Sequence, residues 1–156
     1  MTFSPLDALA PLIGTWKGQG HGTYPTIKDF DYLEEITFAE VGKPFLVYHQ
    51  RTWSPDGKPL HVEMGYLRAP GPGVVELTMA LPTGQTEIGS GTLQDAPFAL
   101  TIDCRVDSTP SAKPVTASQR ELRLEGDVLV TSFAMAAMGL ELTPHLSSRL
   151  ERQAAG

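Results

Sequence analysis

Asparagine is absent from all 156 residues, and cysteine occurs once, as Cys104. Without Asn the chain carries no N-glycosylation acceptor, and a lone thiol excludes both an intrachain disulfide framework and a cysteine-based zinc knuckle. Stability therefore has to come from a packed core, and a chain of this length is expected to form one domain, residues 1–156, burying roughly 68–70% of its unfolded surface. Long hydrophobic runs are lacking as well: Gly, Pro or Thr interrupts each apolar stretch well short of the roughly 18–20 residues a bilayer helix needs. No membrane partner is expected. Positive charge is scarce, 12 Lys and Arg against 18 Asp and Glu for a net charge of −6. That is the wrong sign for a phosphate backbone, so nucleic acid is not an expected partner either. The opening MTFSPLDALAPLIGTW lacks the basic region of a secretory leader, and a cytoplasmic protein is expected.

What the chain does have is punctuation. Fifteen Gly and thirteen Pro are spread along its length and cut it into short apolar segments. Ten of these read as strands: Gly14–Gly22, Phe30–Ala39, Phe45–Trp53, Leu60–Leu67, Val74–Leu81, Thr86–Leu93, Phe98–Arg105, Thr116–Glu125, Val128–Met138 and His145–Arg152. The breaks Pro55-Asp56-Gly57, Pro70-Gly71-Pro72-Gly73, Pro82-Thr83-Gly84 and Gly126-Asp127 carry turn chemistry. Several segments alternate with period two, as in Phe98, Leu100, Ile102 and Cys104 against Ala99, Thr101, Asp103 and Arg105, which gives each strand one buried face. Only Leu6–Ile13 reads as a helix, with Ser4 as N-cap, Pro5 at the first position and Gly14 as the stop, acting as a lid or plug. Sequential short strands predict an all-β antiparallel meander closed into a barrel of about ten strands, with a β-sandwich as the alternative. A barrel of that size has room for an interior ligand.

Standard catalytic spacings are missing: there is no G-x-S-x-G, no Walker A and no H-E-x-x-H. Gly18, Gly20 and Gly22 strip one face of the first strand, which permits sharp curvature or the close approach of a flat ligand. The four histidines, His21, His49, His61 and His145, have no metal-like local spacing, so a metal role for any of them is a single-ligand role. Haem is the main case in which one imidazole suffices, because the porphyrin fills the equatorial positions. His145 has the better context, after the soft run Phe133-Ala134-Met135-Ala136-Ala137-Met138-Gly139; Met135 and Met138 read either as core filling or as walls of an apolar pocket. Glu34 and Glu35 are adjacent and point to opposite faces of a strand, so they form no acid/base dyad; a solvated face and an opening rim are their expected places. Cys104 reads as a buried structural thiol.

Gly14-Thr15-Trp16-Lys17-Gly18-Gln19-Gly20-His21-Gly22-Thr23-Tyr24-Pro25-Thr26-Ile27 resembles the G-x-W-x-G-x-G-x-G-x-Y-P-T-I signature of the nitrobindin family, haem-containing barrels assigned as peroxynitrite isomerases. Arg51-Thr52-Trp53, the block His61–Arg68, and Met135–Gly139 leading to Leu142-Thr143-Pro144-His145-Leu146 agree with it, so the resemblance runs from about Pro11 to Arg152. It implies a lipocalin-like or fatty-acid-binding-protein-like barrel with ferric haem b in its mouth and isomerisation of peroxynitrite to nitrate at the iron. It also implies His145 as proximal ligand, His61 on the distal side, Met135 in the pocket wall and Lys113 near a haem propionate, although this chain has Pro114 where an acidic residue is common.

His145 is then expected to ligate through Nε2, with Nδ1–H given to a carbonyl, hydroxyl or water. Simple alternation puts Ser147 on its face and Leu146 on the other. An apolar wall with few proton donors is expected around the ligand. Two other functions stay open: a haem protein that captures or senses nitric oxide, and a haem-free carrier of apolar ligands. The oligomeric state, monomer or homodimer, is open too.

Overall fold

The computed structural model of the chain describes residues 2–155; Met1 and Gly156, the ends of the expected 1–156 domain, lie outside the described residues. Ten antiparallel strands follow one another in chain order: β1 Gly14–Tyr24, β2 Ile27–Glu40, β3 Leu46–Trp53, β4 Pro59–Gly71, β5 Val74–Ala80, β6 Gln85–Asp95, β7 Phe98–Ser108, β8 Val115–Glu125, β9 Val128–Ala137 and β10 Thr143–Arg152. Each pairs with its sequence neighbours, and β1 closes on β10. The closed barrel disposes of the sandwich alternative, and closure leaves no unpaired sheet edge. Alternation sets the faces as expected. On β3 Leu46, Tyr48, Gln50 and Thr52 point inward, and on β7 Phe98, Leu100, Ile102 and Cys104 do.

The N-terminal segment is not one helix. Ser4 caps an α-helix that spans only Pro5–Leu9 (α1), its Oγ accepting from the Asp7 amide at 3.3 Å, and Ala10–Leu12 continues as a 3₁₀ turn. Pro11 explains the change, because it has no N–H to give to the carbonyl four residues back. The segment plugs one end of the barrel. Leu9, Leu12 and Trp16 are fully buried there, each contributing about 1.5–3 kcal/mol by burial, and Trp16 Nε1 donates to the Leu12 carbonyl at 2.9 Å. Arg152 ties the plug down: it lies 4.2 Å over the Trp16 ring and donates to the Ile13 and Pro11 carbonyls at 2.9 and 2.8 Å. The apolar core of the barrel gathers at this end, around Ile36, Phe38, Leu46, Leu67, Leu100 and Leu150.

The glycines of β1 serve neighbours rather than a flat ligand. Gly20 and Gly22 pair with Tyr32 and Phe30 on β2, and a Cβ on either would overlap the partner's ring. Those rings fold over the bare stretch of β1, a cross-strand arrangement that fills the space left by glycine. Gly18 lets the β10 backbone at Arg149 come close, which is the curvature half of the expectation.

Candidate functional site

The end opposite the plug is open. It leads into a cavity of about 970 Å³, near the upper end of the roughly 300–1,000 Å³ range of ligand pockets. His145, His61, Met135 and Lys113 all line it. They come from β10, β4, β9 and the β7–β8 loop, so barrel closure alone gathers them. Met138 does not join them: it sits exposed in the β9–β10 turn with φ of +56°, and β9 ends one residue earlier.

His145 is held from three sides. Its Nδ1 lies 2.9 Å from the Thr23 carbonyl; a carbonyl only accepts, so Nδ1 carries the proton and Nε2 keeps its lone pair. Tyr24, Phe133 and Phe30 surround the ring, with centroids at 5.3, 6.2 and 6.3 Å. Tyr24 is itself pinned, donating to the Met135 carbonyl at 2.9 Å and accepting from the Ala137 amide at 3.1 Å. Burial lowers the His145 pKa, against the opposing pull of the Thr23 hydrogen bond, which favours the neutral ring that a metal needs. Thr23 and Tyr24 were legible as part of a motif, but the Thr23 contact with His145 spans 122 residues.

The expected placing of Ser147 and Leu146 is overturned. Leu146 pairs with Phe133 and Pro144 with Ala134, so His145 is the extra residue of a β-bulge. A bulge resets the alternation. His145 and Leu146 both line the cavity, and Ser147 faces outward.

The pocket is less apolar than expected. Below its mouth runs a belt of buried polar groups: Glu34, Gln50, Glu63, Glu87 and Ser118, joined by Arg120. Arg120 donates to Glu63 at 2.6 Å and to Glu87 through Nε and a terminal nitrogen at 2.9 and 2.7 Å, with its guanidinium 4.8 Å over Phe133. Tyr48 and Ser118 add hydrogen bonds to Glu63 and Glu87 at 3.2 and 2.7 Å. Burial pushes the Glu63 pKa up, but Arg120 and His61 outweigh it and hold the carboxyl down to about 2. Cys104, opposite Ser118 of the belt in the β7–β8 register, is pushed up to about 11 by burial and by Glu87, and is an inert thiol.

Glu34 corrects a second expectation. It is 6% exposed inside the barrel, while Glu35 alone faces out, toward Lys17 and Arg51. Gln50 donates to one Glu34 oxygen at 2.7 Å; the other, and the Gln50 carbonyl oxygen, have no partner among the described residues. Burial raises the Glu34 pKa. A carboxyl raised on folding stabilises the fold below its unfolded pKa, about 4.3, and loses that contribution as pH rises through the folded value. Glu34→Gln is therefore expected to raise Tm more at pH 8 than at pH 4, because the amide carries no charge to bury at either pH. A Tm difference that does not grow with pH would refute this reading of Glu34.

The cavity suits a planar prosthetic group. It has one oriented, neutral imidazole with a free Nε2, aromatic and thioether walls, and a lysine at the rim. Among the described residues no group of three or more His, Cys, Asp or Glu is arranged to hold a metal ion unaided, so a metal here needs the single-ligand mode in which a porphyrin supplies the other donors.

Comparison with known proteins agrees. The chain is 53% identical over 152 residues to peroxynitrite isomerase 2 of Mycobacterium marinum, covering 95% of this chain and 94% of that protein. It is 52% identical over 151 residues to the peroxynitrite isomerase of Nocardia farcinica, covering 94% and 90%. The crystal structure of Rv2717c from M. tuberculosis superposes with a TM-score of 0.92 at 49% identity, covering 96% of this chain and 97% of that one. Residues 5–152 match the family described as THAP4-like, heme-binding beta-barrel domain. With this barrel, this cavity and half its residues shared with those relatives, the chain belongs to the THAP4-like heme-binding beta-barrel family, the nitrobindin family that its glycine-rich first strand resembles.

Proposed function

We propose that this protein is a cytoplasmic peroxynitrite isomerase that holds haem b in the open end of its barrel, with His145 Nε2 as the protein's ligand to iron. The observation that carries the reading is the 2.9 Å contact from His145 Nδ1 to the Thr23 carbonyl, which fixes the tautomer and leaves Nε2 free. Held by His145, haem would supply Lewis-acid and redox chemistry for the conversion of peroxynitrite to nitrate. The chain's own part is to bind, orient and shield. Thr23 and Tyr24 aim His145; Phe30, Phe133 and Met135 shield the cavity wall around it from water; Lys113 would offer a cation to a propionate at the rim.

The belt below adds selectivity, since two carboxylates, Glu63 and Glu87, share one guanidinium, and a small anion is discouraged from going deeper. The same belt disfavours the haem-free carrier. A buried cation that anchors a fatty-acid carboxylate needs its charge uncompensated, and Arg120 already gives Nε and both terminal nitrogens to the carboxylates of Glu63 and Glu87. Nitric oxide, neutral and diatomic, fits the same pocket as a ligand. The test is reconstitution with haemin, then rapid mixing with peroxynitrite. A Soret band, and nitrate formed faster than in buffer, are expected. A missing Soret band or an unaccelerated decay would sink the proposal.

A further inference from the structure

His61 is the second histidine of the cavity, and its surroundings differ from those of His145 in one decisive way. Its Nε2 lies 3.1 Å from Glu63 Oε1. The other Glu63 oxygen takes hydrogen bonds from Arg120 at 2.6 Å and from Tyr48 at 3.2 Å. Glu63 is thus a fully engaged, buried carboxylate, which only accepts. The His61 proton must sit on Nε2, and in the neutral ring Nδ1 keeps the lone pair. No protein group among the described residues bonds Nδ1, so it is the nitrogen left for a ligand in the cavity. The two histidines are locked in opposite tautomers.

Topology sets them face to face. In strand order β4 stands four strands from β10 one way round the barrel and six the other, close to diametrically opposed, and both histidines belong to the open end. The groups around His61 are Glu63 on its own strand, Thr52 beside it on β3, Tyr48 and Arg120 behind Glu63, Lys113 at the rim, and His145 across the cavity. Of these, Glu63 alone touches the ring among the hydrogen-bonding groups.

We propose that His61 is a general base of the cavity, aimed by Glu63 as its positioning residue, and that it takes the proton from acidic ligands as they bind across from His145. The proposal rests on the haem reading above. For peroxynitrous acid, His61 Nδ1 accepts the O–H proton, the bonding pair stays on the peroxo oxygen, and the ligand proceeds as the anion. The product leaves as nitrate, and the imidazolium returns its proton to water at the mouth, where the His61 side chain is 28% exposed. Acid in, nitrate and one proton out: charge and atoms balance, and no oxidant or reductant is consumed. The carboxylate behind the ring holds the Nε2 proton in place and so keeps the Nδ1 lone pair turned toward the ligand.

Hydrogen cyanide is the probe, because it too must lose a proton to bind ferric iron, and its binding is read in the Soret band without any turnover. In the wild-type protein cyanide should bind at a rate nearly flat across neutral pH. In His61→Leu the Soret band should remain, the rate at neutral pH should fall about 100-fold, within the range a positioned base supplies, and it should then rise with the cyanide-anion fraction. Glu63→Gln should give a smaller loss. On the haem-free wild-type chain, ¹⁵N NMR should find neutral His61 protonated at Nε2, and Glu63→Gln should mix the tautomers. A wild-type cyanide rate and pH profile in His61→Leu would overturn the role, as would an Nδ1-protonated ring in the haem-free protein. Failure of the wild type to bind haem at all would instead remove the reading beneath it, and the missing Soret band tells the two failures apart.

Discussion

His145→Ala is expected to fold into the same barrel and lose tight haem binding. The fold should survive because the apolar core lies at the plugged end, around Trp16, Phe38 and Leu100, and does not depend on a bond to iron. Haem affinity should fall by more than the roughly 10–100-fold that disturbing an outer partner of a metal ligand costs, since here the ligand itself is removed. Neighbouring groups do not take its place: Cys104 is buried with its thiol pKa pushed up to about 11, the Tyr24 hydroxyl is engaged with the Met135 carbonyl and the Ala137 amide, and His61 stands on the opposite wall of the cavity. Titration with haemin, followed in the Soret band, measures the loss, and unchanged circular dichroism shows the fold intact. Added imidazole should restore part of the spectrum by occupying the space the ring leaves. A His145→Ala protein with wild-type haem affinity and nitrate-forming activity, without imidazole, would overturn the ligand assignment.

Arg120→Met should be the most destabilising single change in the barrel interior. It strands Glu63 and Glu87 together in a site where each is at most 6% exposed, and breaking a buried ion pair by removing one partner costs about 3–5 kcal/mol. For a chain of this length that is a fall in Tm of about 6–20 °C. The triple variant Arg120→Met, Glu63→Leu, Glu87→Leu separates charge from packing. If the cost lies in uncompensated charge, the triple variant should recover much of the loss, because well-packed apolar side chains replace buried ion pairs at little or no cost. A triple variant as unstable as the single would show that the arginine's packing against Phe133 is what matters. Differential scanning calorimetry at neutral pH decides between them.

The belt that Arg120 organises is also the part of the site least legible in the sequence. Glu63 and Arg120 are 57 residues apart, and Glu87 and Arg120 are 33 apart. Each is an ordinary charged residue in an alternating strand, and nothing local says that its face turns inward. One signal was there to read. His61 and Glu63 are two apart on one strand, and alternate residues of a strand share a face, so a carboxylate–histidine pair is implicit in H-x-E. The adjacent Glu34 and Glu35 show the limit of the same rule: opposite faces followed from adjacency, but which face was the interior did not.

By itself the sequence determined the number and order of the strands, the turns between them, the capped start at Ser4 and the bare face of β1, because glycine, proline and period-two alternation act over a few residues and need no partner. Only the tertiary structure decided the rest. Closing β1 on β10 chose which face of each strand is inside and so buried Glu34. The bulge at His145 turned two successive side chains into the cavity, which no alternation rule allows. The Thr23 carbonyl reached His145 across 122 residues and set its tautomer. Each of these depends on register between strands distant in sequence, and register is settled by the packing of the whole barrel, where a slip of one residue would exchange the inside for the outside.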